Sequence, residues 1–171
     1  MLQEAASAEP SASTTDATVT SDATSDASTY RFLIVDDDPF VIMVLQALVL
    51  DQALPSLKLE VSCCANVSEC LEQLGAAAYA AQPYDVVLLD HELGEQISGI
   101  EVLHAIRSKD DTGALLYPWL AGMRIVMMSS GEIDQDAFTG LGVESFLVKP
   151  ITARHVQQII EARIAEAEPT R

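Results

Sequence analysis

The sequence predicts an α/β fold: a five-stranded parallel sheet with helices on both faces. Two observations carry that expectation. Short, unbroken apolar runs alternate with longer segments that open on helix-capping residues, and polar residues stand at the ends of the apolar runs. A strand covered by helices on both sides has no solvent face, so it reads as a continuous apolar run and not as an alternation. Strand followed by helix, repeated, is the pattern of parallel strands joined by crossovers.

The elements follow in order. RFLIV (31–35) is the first strand. Asp38 then offers an N-cap, with Pro39 at the first helical position, where its missing N–H costs nothing, and the helix runs through PFVIMVLQALVLDQAL (39–54). LKLEVSCCA (57–65) is the second strand, and Asn66 caps a helix through VSECLEQLGAAAYA (67–80). YDVVLLD (84–90) is the third strand, GIEVLHAIRSK (99–109) the third helix and MRIVMMS (123–129) the fourth strand. IDQDAFTGLG (133–142) reads as a short fourth helix, ESFLVK (144–149) as the fifth strand and TARHVQQIIEARIAEAE (152–168) as a final amphipathic helix. One connection is long. DDTGALLYPWLAG (110–122) is rich in large apolar residues and is expected to pack as an extra turn at the end of the sheet away from any active site.

Bulk properties narrow the function. A chain of 171 residues holds one domain with a sizeable core. Residues 1–29 are built from Ser, Thr, Ala and Asp, with no Lys or Arg. Such a mixture buries too little apolar surface to offset the entropy of ordering, so it is read as a disordered acidic tail before a domain at 30–171. The formal charge of −17 argues against nucleic acid and against anionic membranes as partners. No apolar run reaches the ~18 residues of a membrane span, and the start has neither the basic nor the apolar region of a secretory signal. Cys63, Cys64 and Cys70 have no metal-ligand spacing, which favours a reduced, cytoplasmic setting with the thiols acting as small hydrophobes. His91, His104 and His155 are likewise read as surface or core residues.

Ligands of open parallel sheets bind beyond the carboxyl ends of the strands. The polar residues there are Asp36 and Asp37, Asp90, Ser129 and Lys149. Carboxylates brought so close repel unless a divalent cation holds them, and hard oxygen ligands suit Mg²⁺. A metal beside a carboxylate, a hydroxyl and an ammonium is also what phosphoryl transfer requires, because charge must be neutralised around the transferring group. Asp90 is the expected nucleophile. The register of the acidic pair has an alternative, Asp37 with Asp38, but the cap role of Asp38 favours Asp36 with Asp37.

At these residues the sequence resembles the receiver domains of response regulators in two-component signalling, over residues 31 to about 167. FLIVDD, VVLLD, SGIEVL, MMSS and FLVKP carry the likeness, in that order. The resemblance implies a flavodoxin-like doubly wound fold with Asp90 as phospho-acceptor. It further implies Asp37, Asp90 and the Glu92 main-chain carbonyl as direct Mg²⁺ ligands, with Asp36 reaching the metal mostly through water. Lys149 would pair with the acceptor and then with the phosphoryl group, Ser129 would hydrogen-bond a phosphoryl oxygen, and Phe146 would be the aromatic switch residue. The implied partners are a sensor histidine kinase or a histidine phosphotransfer protein, and an unknown downstream protein. Because the chain stops soon after the last helix, a stand-alone receiver that is not itself an enzyme is expected. Three departures from the family pattern stand out. Ser129 replaces the usual Thr, Ser130 stands where Ala is common, and the acceptor loop HELGEQISG lacks Pro and is one residue longer. Two rival readings are a hydrolase of the haloacid dehalogenase type, suggested by LLDHE, and an interaction module that works without phosphorylation.

Overall fold

The computed structural model describes residues 28–94, 98–115, 117–120 and 122–167. Five strands, β1 (Ser28–Val35), β2 (Leu57–Cys64), β3 (Val86–Asp90), β4 (Arg124–Ser129) and β5 (Val143–Val148), form one parallel sheet in the order β2-β1-β3-β4-β5. Its helices are α1 (Pro39–Leu50), α2 (Val67–Tyr79), α3 (Gly99–Ile106) and α4 (Ala153–Ala167). The chain reverses its direction of travel across the sheet between β1 and β3, which opens a crevice beyond their carboxyl ends.

Both faces of the sheet are covered, and alternate residues of each apolar run serve opposite sides. Phe32, Ile34, Leu88 and Met128 pack with Leu45 and Val49 of α1 and Val156 and Ile160 of α4. Leu33, Val35, Leu89 and Met127 pack with Cys70 and Leu74 of α2 and Leu103 and Ile106 of α3. Each face therefore buries four or more large side chains at roughly 1.5–3 kcal/mol each. Cys63 is half-buried and Cys64 and Cys70 are buried, all three as free thiols. No helix among the described residues is long and apolar enough to cross a membrane.

Three expectations need correction. Among the described residues there are four α-helices, not five, because IDQDAFTGLG forms only a 3-10 turn at Gln135–Phe138. Asp134 caps that turn through Asp136 N–H (3.1 Å), and the chain then bends at Gly140 and Gly142, both at positive φ, a conformation in which a helix cannot continue. Strand β1 starts at Ser28, so Ser28 and Thr29, read as tail, pair with Leu57 and Lys58. Helix α1 stops at Leu50 and not at 54, its end tightening into a turn in which the Gln52 and Ala53 N–H groups bond the Val49 and Leu50 carbonyls three residues back, at 3.0 and 3.2 Å. The long connection supplies a 3-10 turn, Pro118–Leu120, whose Leu120 enters the α2/α3 core.

Candidate functional site

The site grows out of the ends of β1, β3, β4 and β5. Just past Val35, Asp36 is fully buried, and a buried carboxylate must be paired or hydrogen-bonded to be tolerated. Its Oδ1 accepts the Asp38 N–H at 3.0 Å and its Oδ2 meets Lys149 Nζ at 2.7 Å. Asp38, at the rim of the crevice, caps α1, accepting the Phe40 N–H at 2.8 Å. Asp37 is exposed at the mouth, and one oxygen each from Asp36, Asp37 and Asp90 lie within 4.8 Å of one another. The three consecutive carboxylates thus divide into a pair facing the crevice and a helix cap.

Asp90 closes β3 and is 5% exposed. Lys149, whose backbone N–H binds the Ser129 carbonyl at 2.8 Å, reaches from the end of β5 to within 2.9 Å of Asp90 Oδ2. Burial pushes the Asp90 carboxyl above its ordinary pKa and the charge of Asp36 adds to the rise, while Lys149 and the Glu92 N–H oppose it. Burial would lower the Lys149 ammonium, but its bonds and charge contacts with Asp36 and Asp90 outweigh that and raise it. Three carboxylates therefore face one ammonium, an excess of two negative charges in a crevice of about 400 Å³ walled by Val41, Glu92, Gly94 and Ser130. That excess, and a donor set made only of hard oxygens, fit a small divalent cation such as Mg²⁺.

The other expected residues fall as follows. Glu92 is exposed on the crevice wall, and a bridge to Ser98 closes the base of its loop, while 95–97 lie outside the described residues. Ser129 is buried, its Oγ accepting the Gly131 N–H at 3.1 Å, and it is Ser130 that lines the crevice. Phe146 is half-buried, edge-on to Phe138 with ring centroids 5.3 Å apart.

Sequence reasoning missed Gly99. A Cβ built there would lie 2.2 Å from the Asp90 carbonyl oxygen, so only glycine lets α3 start this close to Asp90. Ser98 caps the helix, donating its hydroxyl to the His91 carbonyl at 3.0 Å. The Ser-Gly pair was visible as a helix start; the clash it avoids appears only when β3 and α3 are set side by side. The apolar face of α1 was also unread. Phe40 and Met43 are 65% and 58% exposed, and Phe40, Val44 and Pro150 border a groove of about 390 Å³ that shares Val41, Ser130 and Lys149 with the acidic crevice.

Comparison with known proteins agrees with this architecture. The Transcriptional regulatory protein AruR of Pseudomonas aeruginosa is 26% identical over 126 residues, which span 74% of this chain and 46% of that protein, so the chain matches about half the length of this relative. A two-component response regulator from Cytophaga hutchinsonii shares the fold at a TM-score of 0.66 and 16% identity, covering 79% of this chain and 96% of the other. The bacteriophytochrome response regulator AtBRR aligns at a TM-score of 0.58 and 28% identity, covering 78% and 91%. The family described as the response regulator receiver domain matches residues 32–161, the whole span from β1 to the middle of α4. With most of the chain inside that match and the sheet in the same fold, the chain belongs to the response regulator receiver domain family.

Proposed function

We propose that the protein accepts a phosphoryl group on Asp90 from a phosphohistidine donor, with Mg²⁺, and signals by phosphorylation-dependent binding of a partner. Receiver domains are typically signalling modules, and the reading assigns this chain the phosphoryl chemistry of its own acceptor only. The observation that carries it is the buried Asp90 carboxylate, held at 2.9 Å by Lys149 beside two further acids.

In the transfer, an Asp90 carboxylate oxygen attacks phosphorus, the bond from phosphorus to the donor nitrogen breaks, and the leaving imidazole keeps the electron pair and takes up a proton. Asp37, Asp90 and the Glu92 main-chain carbonyl would hold Mg²⁺, with Asp36 joined through water; bound Mg²⁺ supplies neutralisation of the charge on the transferring group. Lys149 holds the acceptor oriented before transfer and pairs with phosphoryl oxygens after it. Ser129 exchanges its contact with Gly131 for a hydrogen bond to a phosphoryl oxygen, and Phe146 responds to that movement. The exposed apolar face of α1, continuous with the crevice through Val41, suits a sensor kinase or phosphotransfer protein that must bring its phosphohistidine to Asp90. Its free thiols suit the reducing cytoplasm.

Incubation with acetyl phosphate and Mg²⁺, followed by intact-mass measurement, tests the reading. One added phosphoryl group is expected, and none in Asp90→Asn, whose amide cannot attack phosphorus. Label that persists in the variant, or maps to Ser129 or His91, would overturn the assignment.

A further inference from the structure

The 3-10 turn that replaces the expected fourth helix is held at its last residue and again in the bend that follows it. Phe138, at its end, is buried, with its ring between two others: the His91 ring (centroids 5.8 Å apart, planes at 63°) and the Phe146 ring (5.3 Å, 69°). His91 directly follows the acceptor, and its backbone is clamped. The His91 N–H donates to the Met128 carbonyl at 2.7 Å, and its carbonyl accepts from Gly99 N–H at 2.9 Å and from the Ser98 hydroxyl. Its backbone is therefore held in place by β4 and α3. On the far side, Arg107 at the end of α3 donates to the carbonyls of Leu141 (3.0 Å) and Gly142 (3.4 Å), and also to Leu120. That reach exists because Gly142 has no side chain; a Cβ there would stand 2.6 Å from the guanidinium.

We infer that His91 and Phe138 form a latch for the resting state. The chain from Ser129 to Phe146 begins at the residue that moves toward a phosphoryl group in the proposed function and ends at the one that turns, and Phe138, within it, ties the segment to the His91 ring. Any rearrangement of the segment has to give up the edge contact with His91. A contact made only in the resting state lowers the affinity of the other state's ligand by the factor with which it favours rest. This inference rests on Asp90 being the acceptor, and it adds a residue to the regulation of that site.

The probe is beryllofluoride with Mg²⁺, a phosphoryl mimic, titrated into the full chain by calorimetry. His91→Ala removes the ring edge from a half-buried position and is expected to raise beryllofluoride affinity roughly two- to tenfold, the worth of an edge-to-face aromatic pair. Amide exchange across 135–148 in the free variant should shift toward that of the wild type with the mimic bound. His91→Phe keeps an aromatic edge and should restore wild-type behaviour, which loss of an imidazole nitrogen next to the acceptor would not explain. Phe138→Leu, which keeps the core filled, should act in the same direction as His91→Ala. Unchanged affinity in His91→Ala, or equal effects of Ala and Phe at this position, would overturn the latch while wild-type binding of the mimic upheld the acceptor. Failure of the wild type to bind it would overturn both.

Discussion

At the scale of single residues, neighbouring aspartates with the same chemistry take different roles according to the partners within their reach. Asp38 spends its carboxylate on the first turn of α1, whereas Asp37 faces Asp36 and Asp90. The two positions therefore separate by experiment. Asp38→Ala should cost about 1 kcal/mol of stability, the usual worth of a helix cap, and leave Mg²⁺ affinity nearly unchanged. Asp37→Ala should weaken Mg²⁺ binding by tenfold or more with little loss of stability, since the side chain is exposed and the cation loses one of its carboxylates. Denaturant melts and Mg²⁺ titration of both variants give the answer, and equal losses of affinity would reverse the roles of the two residues.

At the scale of elements, the placement of Asp90 depends on how closely α3 approaches β3. Gly99→Ala would drive a methyl group into the Asp90 carbonyl, so β3 or the start of α3 must shift. Overpacking of this kind typically costs ~1–3 kcal/mol, and here the displaced atoms belong to Asp90, the proposed phospho-acceptor. Lower stability in urea and slower labelling by acetyl phosphate are expected together; wild-type values for both would mean that the helix start yields freely. This contact also marks where sequence reading stops. Strands were legible because burial on both faces leaves unbroken apolar runs, and the helices after Asp38 and Asn66 because capping residues announce them. Asp36, Asp37, Asp90, Ser129 and Lys149 were legible as a group because each ends, or directly follows, a strand. The turn at Gln135–Phe138 was misread since its apolar residues look helical in sequence, while what decides it is tertiary: Phe138 buried against two rings and Arg107 holding the glycine bend. The exposed apolar face of α1 was hidden for the converse reason. A helix this apolar reads as buried all round, and only the packing reveals that Phe40, Met43 and Leu50 remain outside.

At the scale of the whole molecule, charge is distributed unevenly along the strands. At their N-terminal end, Arg124 pairs with Glu144 and Glu166, Arg163 with Asp85, and Arg31 with Glu60. At the carboxyl end, Lys149 alone among the described residues answers Asp36 and Asp90. Fold stability is therefore linked to the cation and to protons through one site, with opposite signs. Without metal, the Asp90 carboxyl has its pKa raised by burial and by Asp36, so the folded state holds that proton more tightly than the unfolded chain does. Its ionised form costs stability at neutral pH, and the cost is relieved as pH falls through the raised value. Lys149 carries the other sign: its pKa is raised above 10.5, so its contribution is complete below that value and is lost as pH climbs through the folded one. Mg²⁺ requires the ionised carboxylate, so protons compete with it. At a concentration one hundred times its Kd, Mg²⁺ should add about 2.7 kcal/mol where Asp90 is ionised, and the gain should shrink as pH is lowered from neutral through the raised Asp90 value. The difference between melting curves in Mg²⁺ and in EDTA, followed across that range, isolates this site from the other acids. In Asp90→Asn the difference should be small and lose most of its pH dependence. A Mg²⁺ gain that falls with pH no more steeply in the wild type than in Asp90→Asn would mean that the cation binds away from Asp90.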